Sequence, residues 1–215
     1  MINQRIEPQA FSLEALRSGD RAEFARLVDA TSGAIYRLGL KMLENTQDAE
    51  DALQETYLKA FRALPNFDGR SSLSTWLYRI ATNEALMILR KRKTMLISID
   101  EPQMTEEEAS EPLEIIDWCC LPESELLSSE ARAHLDRAIE SLPHSLRIVF
   151  LLRDIEGLST LETGQVLNLS ETAVKTRLSR ARLRLREQLS GYYGEIVRKQ
   201  ALDGNGEPSA EGAGL

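Results

Sequence analysis

The chain reads as an all-α protein, two small helical domains joined by an acidic linker. Apolar residues recur at three- and four-residue spacing across residues 12–93 and again across 130–191, and the two-residue alternation of a strand is absent. Between these stretches, from Thr94 to Ala131, there is no Lys or Arg but there are eleven acids. Helix-starting and helix-stopping residues stand at the ends of the periodic segments. The expected boundaries are a domain over 12–93, a linker over 94–129, a second domain over 130–191 and a tail over 192–215.

Each element has its own warrant. Asp20 precedes a helical pattern that places Phe24, Leu27, Val28, Ile35 and Leu38 on one side, and Asn45-Thr46 interrupts it. The next helix opens with the acids of QDAEDALQETYLKAFRAL, which suit the positive end of the helix dipole. Its apolar positions are Ala49, Leu53, Tyr57, Ala60, Phe61 and Leu64, and Pro65 ends it. NFDGRSS is a loop of turn-forming residues. A long helix follows from about Leu73 to the basic run Arg90-Lys91-Arg92-Lys93. The linker carries three prolines, with short helical pieces expected around Leu113 to Trp118.

In the second domain a helix is expected over 130–141. Pro143 stands early in the next, which runs to about Ile155 and is stopped by Gly157. Ser159-Thr160-Leu161-Glu162 has the form of a capping box. Asn168-Leu169 makes a tight turn in which Asn tolerates the left-handed conformation. Ser170 is a good N-cap for the last helix. The Gly-rich end LDGNGEPSAEGAGL predicts no regular structure.

Charge is segregated. The chain carries a formal −8, yet outside the acidic window 23 acids face 26 bases, so the net charge hides any nucleic-acid partner. No apolar run reaches membrane-spanning length, and the opening MINQRIEPQAFSL lacks the pattern of a secretory signal. Two adjacent cysteines, Cys119 and Cys120, give no disulfide framework, and nothing cationic adjoins them to activate a thiolate. The expectation is a reduced, cytoplasmic protein. His134 and His144 have no metal-ligand spacing with the cysteines, and no Gly-rich phosphate loop or nucleophile constellation occurs. No enzyme, metal or cofactor is expected.

The last helix carries the clearest chemistry. A short capped helix, a tight turn and a basic helix form a helix-turn-helix. At roughly 100° per residue, Val174, Leu178, Ala181, Leu185 and Leu189 share one face. Thr172, Lys175, Thr176, Ser179 and Arg180 lie opposite, with Arg177 and Arg182 on the flanks. Such an outward row, of one charge sign, suits base edges in the major groove, and Arg184 and Arg186 further along suit phosphates.

In the first domain, Asp48, Asp51, Gln54, Glu55 and Leu58 share a side of their helix. A solvated acidic face and a docking surface for a basic partner both fit that spacing. Phe67, Trp76, Tyr78 and Arg79 cluster beside Asn83 and the basic helix end, a composition suited to unstacked bases of single-stranded DNA. Core packing accounts for part of Trp76. A dipole contact alone would not need four consecutive bases at Arg90–Lys93.

DAEDALQETYLKAFRALPNFDGRSSLSTWLYRIATNEALMILRKRK resembles region 2 of bacterial sigma factors of the extracytoplasmic-function (ECF) class. LPHSLRIVFLLRDIEGLSTLETGQVLNLSETAVKTRLSRARLRLRE resembles their region 4. The resemblance covers roughly residues 20–93 and 130–190, in the right order. It implies an alternative sigma factor that binds core RNA polymerase, through the β′ clamp helices and the β subunit, and directs it to promoter DNA. Asp51, Gln54 and Glu55, with Asp48 and Leu58 beside them, match the clamp-binding positions. The loop Asn66 to Ser74, with Asn66, Phe67, Asp68, Gly69, Arg70 and Ser71, matches the one that pockets a flipped base of the −10 element. Trp76, Arg79, Asn83, Arg90, Lys91 and Arg92 extend that surface. Lys175, Thr176, Ser179 and Arg180, flanked by Thr172, Arg177 and Arg182, match the positions that read the −35 element. The family also implies an anti-sigma partner and a linker threading near the polymerase active centre. ETG stands where the family usually has Glu-Ile-Ala, and on helix propensity alone Gly164 costs about 1 kcal/mol relative to Ala. An ordinary dimeric helix-turn-helix regulator is the alternative, but it leaves the first domain's resemblance unexplained.

Overall fold

A computed structural model describes residues 11–95 and 129–203, with side chains over 11–92 and 133–190. Eight α-helices occupy these residues, and no strand occurs among them: α1 Leu13–Arg17, α2 Arg21–Leu43, α3 Thr46–Ala63, α4 Leu73–Met95, α5 Ser129–Glu140, α6 His144–Phe150, α7 Thr160–Leu167 and α8 Glu171–Asp203. The pieces expected near 113–118, the cysteine pair and the end of the tail lie outside the described residues. None of the described helices is long and apolar enough to cross a membrane.

The local signals act where the sequence puts them. Asp20 caps α2, its carboxylate accepting from the backbone N–H of Ala22 and Glu23. α2 ends at Leu43 with Glu44 left-handed (φ 55°), and Asn45 then caps α3 by accepting from Asp48 N–H at 2.9 Å. Pro65 sits in a short 3-10 turn, Leu64–Asn66, which ends α3. Both halves of the capping box form on α7: Glu162 N–H donates to Ser159 Oγ at 3.2 Å, and Ser159 N–H donates to Glu162 Oε2 at 2.7 Å. Asn168 is left-handed (φ 55°, ψ 48°), and Ser170 Oγ accepts from Ala173 N–H. Two stretches depart from expectation. The helix after Pro143 widens into a π-turn at Leu151–Ile155 before Gly157 (φ +72°) stops it. α8 continues past Gly191 and Gly194 to Asp203, because the two glycines cost less than a run of helix formers such as EIVRKQALD returns.

In the first domain α2, α3 and α4 enclose Leu27, Leu38, Leu43, Leu64 and Leu77, all 2% exposed or less. Fully burying a leucine contributes about 1.5–3 kcal/mol. Tyr57 is buried there and shares a hydrogen bond with Thr31; burial pushes its phenol up to about 12, so it stays protonated. In the second domain α5, α6, α7 and α8 close over Ile139, Leu142, Leu146, Leu151, Leu152 and Leu185.

The domains pack on each other, α4 against α7 and α2 against α6. At the first contact, Tyr78 Oη donates to Glu156 Oε2 at 2.5 Å with both residues buried. Burial and the Glu156 charge hold the Tyr78 phenol protonated well above its ordinary range. Thr75 Oγ1 adds a bond to Glu162 Oε1 at 3.2 Å. At the second contact, the buried guanidinium of Arg147 donates to Glu44 and to the carbonyls of Glu140 and Leu142. Lys41 and Asp136 form an exposed pair at 2.6 Å.

Gly164 reverses its propensity argument. A Cβ there would stand 2.7 Å from the Leu169 carbonyl oxygen, and that oxygen belongs to backbone locked in the turn. Gly164→Ala should therefore lower the melting temperature, the overpacking cost of about 1–3 kcal/mol exceeding the helix gain. An unchanged or raised melting temperature would show that the turn yields freely.

Candidate nucleic-acid interface

α8 is held by its apolar side. Val174, Ala181 and Leu185 are fully buried and Leu178 and Leu189 nearly so, the same five the wheel places inward. Thr172, Lys175 and Thr176 are exposed, and Arg177, Ser179 and Arg180 half-buried, across the opposite face near the helix start. Arg182 is engaged elsewhere. Its Nε and Nη2 donate to the two Asp154 oxygens at 2.9 and 2.7 Å, and this hydrogen bonding raises its already high pKa further. The fork anchors α8 to the π-turn, so Arg182 braces α8. Six of the seven residues expected at the −35 element share the outward surface; Arg182 flanks it.

On α4, Arg79, Asn83, Arg90 and Lys91 are exposed along one side, with Trp76 half-buried at its start and Met87, 40% exposed, between. The side bearing Thr75 and Tyr78 turns to α7 instead, so contact between the domains leaves the Arg79–Asn83 side open. In the loop, Asn66, Asp68, Gly69 and Arg70 are exposed and Ser71 half-buried. Gly69 has φ +74°, which favours glycine. Asp68 accepts from Arg70 N–H at 3.2 Å and pairs with Arg70 Nε at 2.8 Å. Phe67 is 5% exposed, its ring tilted against Trp76 at 5.1 Å. Its ring offers no open face for a base, and it props Trp76 instead. Ser72 Oγ accepts from Thr75 N–H at the start of α4.

Asp48 and Arg92, assigned from sequence to two different partners, pair with each other, and Arg92 also donates to the Leu43 carbonyl at 2.9 Å. This staple fixes the far end of α4 to the α2–α3 junction. Asp51, Gln54, Glu55 and Leu58 remain exposed along α3, Leu58 at 49%. Phe61, read from its spacing as core, is 40% exposed and extends that face, while its ring edge rests on Phe24 at 4.9 Å. The row 54, 58, 61 was itself the available signal, since helical steps of four and three align these positions.

The comparisons with known proteins cover both domains. Residues 27–94 match sigma-70 region 2 and residues 132–185 match sigma-70 region 4. The chain is 36% identical over 189 residues to the ECF RNA polymerase sigma factor SigW of Bacillus subtilis (strain 168), covering 88% of this chain and 97% of that one. It is 34% identical over 172 residues to the ECF RNA polymerase sigma-E factor of Escherichia coli (strain K12), covering 79% and 88%. Among solved structures, CnrH in complex with the cytosolic domain of CnrY superimposes with a TM-score of 0.59 at 26% identity, over 83% of this chain and 95% of that one.

Proposed function

The chain belongs to the ECF class of the sigma-70 family, and from that premise we propose how its two domains divide the work of promoter recognition. The protein is an alternative sigma factor: it binds core RNA polymerase, directs it to specific promoters and helps open the DNA for initiation. The observation that carries this is the pair of sigma-70 regions, both present, in order, on one chain. A stand-alone helix-turn-helix regulator would have no use for the first.

We assign the second domain, over 130–191, to the −35 element. The α8 row of Thr172, Lys175, Thr176, Ser179 and Arg180, with Arg177 at its side, enters the major groove. The first domain, over 12–93, takes the −10 element on the Arg79–Asn83 side of α4 and the loop 66–74, with Arg90 and Lys91 on phosphates. The exposed α3 face around Gln54, Glu55 and Leu58, extended by Phe61, docks on the β′ clamp helices. The protein does no bond chemistry of its own and works in the cytoplasm, where its polymerase is. An anti-sigma protein, as the family resemblance implies, completes the set of partners.

Run-off transcription with purified core polymerase and a promoter pool tests the assignment, since transcripts that need this protein reveal both elements. Core binding without transcripts would retain the polymerase role and remove the promoter assignment. Loss of core binding would leave only a DNA-binding regulator. Arg180→Ala should weaken −35 recognition by about 1–3 kcal/mol and relax selectivity at one base pair, as expected for a lost bidentate base contact. Uniform weakening across sequences, with a salt slope lower by about one, would instead mark Arg180 as a phosphate contact.

A further inference from the structure

We propose that Arg17, on the short helix α1, is a positioning residue for the loop 66–74 and thereby for the capture of an unpaired promoter base; the inference rests on reading that loop as the base-holding element. α1 precedes the matched region 2, which begins at residue 27. It is nonetheless built into the domain. Ser12 caps it, Ser12 N–H donates to Glu23 Oε1 at 2.7 Å, and Leu16 is 1% exposed where α1 meets the turn Leu64–Asn66.

Arg17 aims two donors at one acceptor. Its Nε and Nη2 reach the Phe67 carbonyl oxygen at 2.9 and 2.5 Å. Phe67 is therefore held at both ends, its ring against Trp76 and its carbonyl by the guanidinium. The chain leaves this fixed point directly into Asp68, Gly69 and Arg70, the exposed turn that would meet the base. A loop ordered before its ligand arrives does not draw the cost of ordering from binding. Lys at position 17 could direct an N–H to the same oxygen but not a planar fork.

The test uses holoenzyme reconstituted from core polymerase and the full chain, as wild type, Arg17→Ala and Arg17→Lys. The probes are single-stranded non-template oligonucleotides carrying the mapped −10 element, intact or abasic at each position in turn. Wild type should favour the intact strand over the abasic one at one position by about tenfold or more, the size of one stacked base. Arg17→Ala should bring that ratio to within about threefold of unity, and Arg17→Lys should fall between, while core binding and −35 duplex binding hold. Partial unfolding would lower the active fraction for both strands alike and leave the ratio unchanged. A wild-type ratio kept by Arg17→Ala overturns the proposal. A wild-type ratio near unity at every position removes the base-holding reading itself, and the proposal with it.

Discussion

Replacing Gln54 and Glu55 together by Ala should cost the protein its hold on core polymerase, about 2 kcal/mol or more, or some thirtyfold in affinity. Both side chains project from α3 into solvent. Neither caps the helix, since Asn45 does that, so the fold has no use for them. Ala is also the better helix former, so the double variant should melt within a degree or so of wild type. This separates docking from folding: core capture on an affinity column falls while the helical circular dichroism stays. The neighbouring Leu58 and Phe61, half in solvent, supply apolar area that the polar pair surrounds, an arrangement common at the centre of protein interfaces. Full retention of core by the double variant would remove this face as the docking surface.

Arg147→Ala should be among the most damaging single substitutions to stability, about 2–4 kcal/mol, read as a fall of roughly 10 °C or more in melting temperature. Arg147 is 4% exposed, and its guanidinium serves the Glu140 and Leu142 carbonyls where the chain turns from α5 into α6. Truncation orphans both carbonyls and leaves empty the volume of a buried side chain. The Glu44 partner contributes little of this, because its side chain is 45% exposed and water can take over. Glu44→Gln should therefore change the melting temperature by only a degree or two. If Arg147→Ala and Glu44→Gln cost the same, the ion pair and not the two carbonyls holds this corner.

What was legible in the sequence was local. A capping box, a left-handed Asn168 and an Asp20 cap each need a few adjacent residues, and their geometry depends little on the rest of the chain. The α8 wheel was legible because one long helix with a clean apolar face fixes its own orientation. The contacts between distant residues were not legible. Tyr78 and Glu156 stand 78 positions apart, and Arg147 and Glu44 103 apart; nothing near either residue signals its partner. Asp48 and Arg92 were assigned singly for the same reason, as were Phe67, whose ring lies inward, and Arg182, spent on Asp154. A charged or aromatic residue announces what it can do, but only packing decides toward what it is turned.

The π-turn at Leu151–Ile155 sets a limit on how this segment can evolve. Asp154 reaches toward α8 to hold Arg182, while Glu156, two residues on, reaches toward Tyr78 of the other domain. An α-helix turns about 100° per residue, so dropping one residue to restore an ordinary turn would swing one carboxylate away from its partner. The segment can exchange side chains freely at its solvent edge, but its length is not free. Insertions and deletions tolerated in most surface connections would here break the registration of α8 or of the domain pair.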